Sequence, residues 1–407
     1  MTRRTLAFGA GIAAIVLLFA GVGFSRSGIA AAAHDLPASI RDARAAGLEP
    51  DPTILVTREA TPRRRERERY THALIALRPR LPSSVRGLSP AQRAALRPAI
   101  VGLRDFALAA EGGSDTDWRR GYDLTWSDLR MYRKAIQLLT IDAEAALRLR
   151  NREAALEALE LANTLARGYA SPGEEFAEIN RYPTALWIGR PLGRLMSEKG
   201  LSPHEVARIT RLVEGPVFRH SDDRIVLSHR LSIQIATVVL AAQVPLTKSV
   251  RFPDPPDRLS GLGRLDTFQR AWQQSLIRPY AEVARALPAD WTDFDRYRTA
   301  YAIFARPEYH AAGLERLYAR EMLPDGTEYV DAILATEGIR RVLTYALAVR
   351  RGEYPPVPRD PCGPGPLAVR PLGRELRIWS RGQDRRDDGG RPLVAGKGDF
   401  VVTVPRP

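Results

Sequence analysis

"LRLRNREAALEALELANTLARGY", Leu147 to Tyr169, is the stretch on which the fold turns. Ala155, Leu159, Ala162, Leu165 and Ala166 recur at three- and four-residue intervals, with one adjacent pair at the end. Upstream, Leu129, Tyr132, Ile136, Leu139, Ala143, Ala146 and Leu149 do the same. Apolar residues at that spacing line one face of an α-helix. Arg150-Asn151 lies between the two periodic runs and reads as a tight turn. The pattern predicts a helical hairpin, whose apolar faces need neighbours to be buried.

Working outward, helix signals dominate. "SPAQ" (Ser89 to Gln92) is a capping box with proline at the first helical position, and the apolar pattern after it stops at Gly112-Gly113. "SPHE" (Ser202 to Glu205) repeats the device before a helix ending at Gly215-Pro216. Further helices are expected at about 175–198, 222–243, 264–287, 291–304, 308–322 and 327–351 by the same periodicity. Pro183, Pro191 and Pro279 are expected to kink or break their segments. "RFPDPPDR" (Arg251 to Arg258) is a stiff proline loop suited to dividing two helical lobes.

After "GEYPPVPRDPCGPGP" (Gly352 to Pro366) the texture changes. "LAVR", "RELRIWS" and "DFVVTV" are short β-prone runs separated by glycine-rich turns. This tail is expected to form a small antiparallel sheet packed on the helix at 327–351. That helix offers Val330, Ile333, Leu334, Val342, Leu347 and Val349 on more than one face, so it should be covered on two sides. The fold class is therefore mainly α, with a small antiparallel β module at the C-terminus. We divide it into residues 1–34, a signal anchor and stalk; 35–355, the helical body; and 356–407, the β module.

The anchor rests on Thr5 to Phe24, "TLAFGAGIAAIVLLFAGVGF", twenty residues without a charge behind Arg3 and Arg4. A helix of that length spans about 30 Å, the hydrocarbon thickness. The two arginines place the short N-terminal end in the cytoplasm and the bulk outside it. Ala31 and Ala33 also form an A-x-A cleavage site before His34, the mark of a secretory signal peptide. Both readings put the body in an extracytoplasmic space, periplasm or cell surface.

The formal charge is +14, yet 57 of the 61 basic residues are arginines, scattered among glutamates as in "RRRERERY" (Arg63 to Tyr70). No basic stripe with interleaved aromatics appears, so nucleic acid is not the expected partner. Cys362 is the single cysteine, which excludes an intramolecular disulfide.

No complete catalytic motif is present. "HEVAR" (His204 to Arg208) has arginine where a zinc helix needs its second histidine. His220, Asp222, Asp223 and His229 could ligate a metal, but Asp222 and Asp223 also suit the first turn of a helix. "SGLGR" (Ser260 to Arg264) and "AGKG" (Ala395 to Gly398) are phosphate-loop fragments without their context, and no G-x-S-x-G elbow occurs.

The tail resembles the globular end of type II secretion major pseudopilins. Gly352, Tyr354 and Pro355 match that family's G-x-Y-P turn. Asp360, Pro361, Gly363 and Pro366 approximate its D-P-x-G-x-P strand. Ser380, Gly382 and Asp384 match its aspartate-rich strand and loop, with Trp379 where the family has tyrosine. The resemblance implies calcium held by Asp384, Asp387 and Asp388, a hard cation on closely spaced oxygens. Without an ion, the same aspartates make turns and Arg381, Arg385 and Arg386 neutralise them. The N-terminal segment lacks the family's glutamate, so a pilus subunit is not expected. The hairpin is similar to one unit of a tetratricopeptide array, without that family's Trp, Gly, Tyr and Pro positions.

These readings combine into a membrane-anchored, extracytoplasmic helical scaffold or adaptor that binds other proteins and has no catalytic residues. The alternative is a periplasmic or cell-envelope enzyme with its site in a cleft between helices.

Overall fold

The structure is a computed structural model that describes residues 34–48, 89–109, 126–166, 175–215, 217–218, 266–290, 292–310, 326–393 and 398–406. The anchor at 5–24, the site at Ala31–Ala33, the proline loop 251–258, the helix expected at 222–243 and the group His220, Asp222, Asp223 and His229 lie outside these residues, as do most of 308–322 and of both phosphate-loop fragments. Among the described residues no helix is long and apolar enough to cross a membrane.

The chain is mainly helical with a three-stranded antiparallel sheet at its end. Helix α1 covers 34–45. It is followed by α2 (Pro90–Ala109), α3 (Trp126–Arg148), α4 (Arg152–Ala166), α5 (Glu175–Ser197) and α6 (Pro203–Val213). Then come α7 (Asp266–Ala286), α8 (Phe294–Tyr301), a 3-10 turn (Ala302–Ala305), a single helical turn α9 (Pro307–His310) and the long α10 (Gly326–Arg350). The sheet runs β1 (Ala368–Leu372), β2 (Glu375–Ser380), β3 (Phe400–Pro405), in that spatial order.

Local sequence sets most of these ends. In "SPAQ", Ser89 Oγ accepts from Gln92 N–H and Gln92 Oε1 accepts from Ser89 N–H. Ser202 and Glu205 exchange the same pair of bonds at α6. The hairpin α3–α4 turns at Arg150-Asn151. Arg150 takes a left-handed φ of 58°, Asn151 N–H reaches back to Ala146 O, and the Asn151 side chain caps Ala154 N–H. At the end of α10, Gly352 (φ 79°) and the bond from Glu353 N–H to Ala348 O close the helix in the same way.

One sequence expectation is corrected, and a second, that the prolines kink or break their segments, loses its second half. Leu149 is 82% exposed, because α3 ends at Arg148 and the residue falls in the turn rather than on the buried face. Pro183, Pro191 and Pro279 do not break their helices; α5 and α7 run through them. Each proline forfeits a backbone bond, about 3 kcal/mol with its clash. On α5 the burial of Tyr182, Ala185, Ile188, Leu192, Leu195 and Met196 outweighs that cost.

The apolar residues gather in two cores. The larger joins α2 to α6, the C-terminal part of α10 and the inner face of the sheet, where Leu376, Ile378, Phe400, Val402 and Val404 point. The smaller joins α1, α7, α8, the 3-10 turn and the N-terminal part of α10, and is rich in aromatics such as Tyr280, Tyr297, Tyr301 and Phe304. Helix α10 belongs to both, which is why it is apolar nearly all round.

Candidate functional site

Two of the three tail motifs meet at one point. Asp360 is almost fully buried. Its Oδ1 accepts from Ser380 Oγ (2.7 Å) and Cys362 N–H (3.0 Å), and its Oδ2 from Arg381 N–H (3.2 Å). The "DPCG" turn is thereby sewn to the "WSRG" strand end. Gly338 of α10 makes room for this knot, since a Cβ there would lie 2.5 Å from Ser380 Oγ. Burial, and after it the charge of Asp360, pushes the Cys362 thiol far above its ordinary range, so it stays protonated and unreactive.

The aspartate loop folds over the outer face of the sheet. Asp387 Oδ1 accepts from Trp379 Nε1–H (3.0 Å) and Gly389 N–H (2.9 Å), and Arg381 stands 4.0 Å from its Oδ2. The indole bond, then the amide, holds its carboxyl below the usual range. Asp384 Oδ1 accepts from Arg386 N–H, an aspartate turn within the loop. Asp388 offers its N–H to Asp399 Oδ1 (3.4 Å), and Gly390 N–H donates to Asp399 Oδ2 (2.8 Å). Among the described residues no three His, Cys, Asp or Glu side chains gather closely enough to hold a metal ion.

Asp399 escaped the sequence reading. It is fully buried at the entry of β3 and its carboxyl is raised to about 6, first by burial and then by the nearby charges of Asp387 and Asp388. Alternation gave no signal for it, since Phe400, Val402 and Val404 point inward and the pattern puts position 399 on the outer face, where an acid is ordinary.

The body also buries charge. Glu337 of α10 is fully buried, gripped by both Arg340 (2.6 and 2.7 Å) and Arg341 (2.7 Å). Arg341 continues to Arg359 O and lies over the Phe294 ring, which Arg359 also approaches. Arg359 pairs with Asp295, and Arg298 with Asp331. The junction between α8, α10 and the tail is thus a chain of clamped charges. On the other side, Arg208 of α6 is buried and forks onto Glu160 while reaching Glu153, both on α4. These partners raise its already high pKa further. Spacing gave no hint of Arg208, whose partners lie on another helix; Glu337 meets Arg340 and Arg341 at three and four residues, and only its burial came from distant elements.

Comparison with known proteins finds no matching family model, no matching curated protein and no matching solved structure.

Proposed function

We propose that the chain is an extracytoplasmic helical scaffold or adaptor, tethered to the membrane by Thr5–Phe24, that binds other proteins through its helical body. The observation that carries this reading is the use made of buried charge. Arg208, Asp360 and Asp399 are each spent on bonds that tie one element to another, and Glu337 holds Arg341, which reaches on to Arg359 O in the tail. Such clamps fix a surface in one geometry, which is what presentation to a partner requires. The tail serves as a pseudopilin-like terminal module on that body. Calcium at Asp384, Asp387 and Asp388 belongs to the same proposal. It would require the loop to turn the Asp384 and Asp387 carboxylates from their indole and amide partners toward a common point with Asp388.

The test has two parts. Fractionated cells should hold the protein in membranes, open to protease from the outer face; recovery as a soluble chain beginning near His34 would show a cleaved signal peptide instead. Cross-linking in intact cells, followed by mass spectrometry, should return the same protein partner repeatedly. That purified partner should then bind the purified full chain. Failure to bind, together with turnover of a small substrate, would replace the adaptor by an envelope enzyme.

A further inference from the structure

The outer face of the sheet carries a row of side chains that the stitching of the tail does not explain. In the antiparallel register Arg370 of β1 stands opposite Arg377 of β2, and Arg377 opposite Thr403 of β3. One line across three strands presents guanidinium, guanidinium and hydroxyl. Side chains opposed in this way have Cβ atoms about 5 Å apart, and like charges there repel. Arg377 Nε is buried with no hydrogen-bond partner, and Gly390 (φ 78°) passes so close that a Cβ there would lie 3.2 Å from Arg377 Cδ. A desolvated cationic N–H without an acceptor is costly. Arg370 is exposed and lies over the Trp379 ring at 5.5 Å. Its acidic neighbour Asp387 is already engaged by Trp379 and Gly389. Glu375 stands one row further along the same face. From Leu367 to Pro407 eight arginines and one lysine face five acids, so the local field favours an anion.

We propose that the row Arg370, Arg377 and Thr403 binds a phosphate-class oxyanion. A tetrahedral dianion brings several acceptor oxygens at once. Guanidinium forks from two adjacent strands can each take a pair of them, and a hydroxyl can donate to another. Binding would remove the repulsion between the arginines. A single carboxylate is satisfied by one fork and would leave the second arginine unpaired. The exposed side of Arg370 gives the ligand its entry.

The test uses the full chain in detergent and two probes, inorganic phosphate and a water-soluble short-chain phosphatidic acid. Both should raise the melting temperature and bind in calorimetric titration. Arg370→Gln and Arg377→Gln should each weaken binding at least about tenfold, by loss of charge-assisted bonds, and the double variant should abolish it. Arg370→Lys keeps the charge and loses the fork, and should bind more weakly than the parent while folding as it does. Arg374→Gln, at the exposed β1–β2 turn, should change neither probe. Equal response to the two probes identifies a soluble phosphate or monoester as the ligand; a much stronger response to the phosphatidic acid identifies a lipid headgroup. No binding of either probe, or binding that survives in the double variant, overturns the proposal.

Discussion

Asp399 carries a cost that its two backbone donors do not remove. Its folded pKa of about 6 stands above the unfolded carboxylate value near 3.9. The folded chain therefore holds this proton more tightly. The group favours the folded state below about pH 4, and that contribution is lost as pH rises through about 6. Asp387 is depressed and acts oppositely, at the acid end. Melting curves of Asp399→Asn and parent, compared from pH 4 to pH 7, should show the parent losing more stability as pH rises; parallel curves would mean that Asp399 ionises normally. The same loop decides the calcium question. If the ion binds, calcium raises the melting temperature by mass action, and Asp387→Asn with Asp388→Asn abolishes the shift. Identical curves in calcium and chelator would leave Trp379, Arg381 and the loop amides as the partners of these acids. Glu337 is the most exacting single residue. Its replacement by Ala would leave two arginines without their shared counter-charge, a loss of about 3 to 5 kcal/mol of stability, read by denaturant titration.

At the level of elements, the ends of helices were written plainly in the sequence and their burial less so. "SPAQ" and "SPHE" could be read because a capping box acts within four residues. The turn at Arg150-Asn151 was legible for the same reason, and Asn151→Ala should cost about 1 kcal/mol through its lost cap on Ala154. Thermal melting of that variant beside Asn151→Ser, which keeps a capping oxygen, checks it. Leu149 was misread because periodicity cannot say where a helix stops within one residue. That the helices α5 and α7 continue through their prolines was not legible, because the penalty is local while the packing that outweighs it is not. The tail strands were visible as alternating runs. The knot of Asp360, Ser380 and Gly338 was not, since it joins three elements far apart in the chain. Gly338→Ala should test it: a methyl group 2.5 Å from Ser380 Oγ forces the tail off α10, at about 1 to 3 kcal/mol.

The whole molecule is governed by α10. Val330, Ile333 and Leu334 lie in the smaller core, and Ile339, Val342, Leu343 and Val349 in the larger. Damage to either core should therefore propagate through one helix to the other. Tyr301→Ala, at a fully buried position of the smaller core, should lower the melting of both cores together, followed by hydrogen exchange at α8 and at β3. Two separate transitions would show that α10 does not couple them.

That placement also sets a timetable. Leu36, Ala43 and Leu48, at the start of the described chain, rest on residues from Ile277 to Leu334, and Arg285 reaches Asp42 O. Ribosomes deliver domains in order, and a unit closes only when its last piece emerges. Here the first described helix waits for the last, so the smaller core cannot close until nearly the whole chain has left the ribosome. On the proposal that the chain crosses a membrane, such delay would keep it threadable during transport and let it fold on arrival.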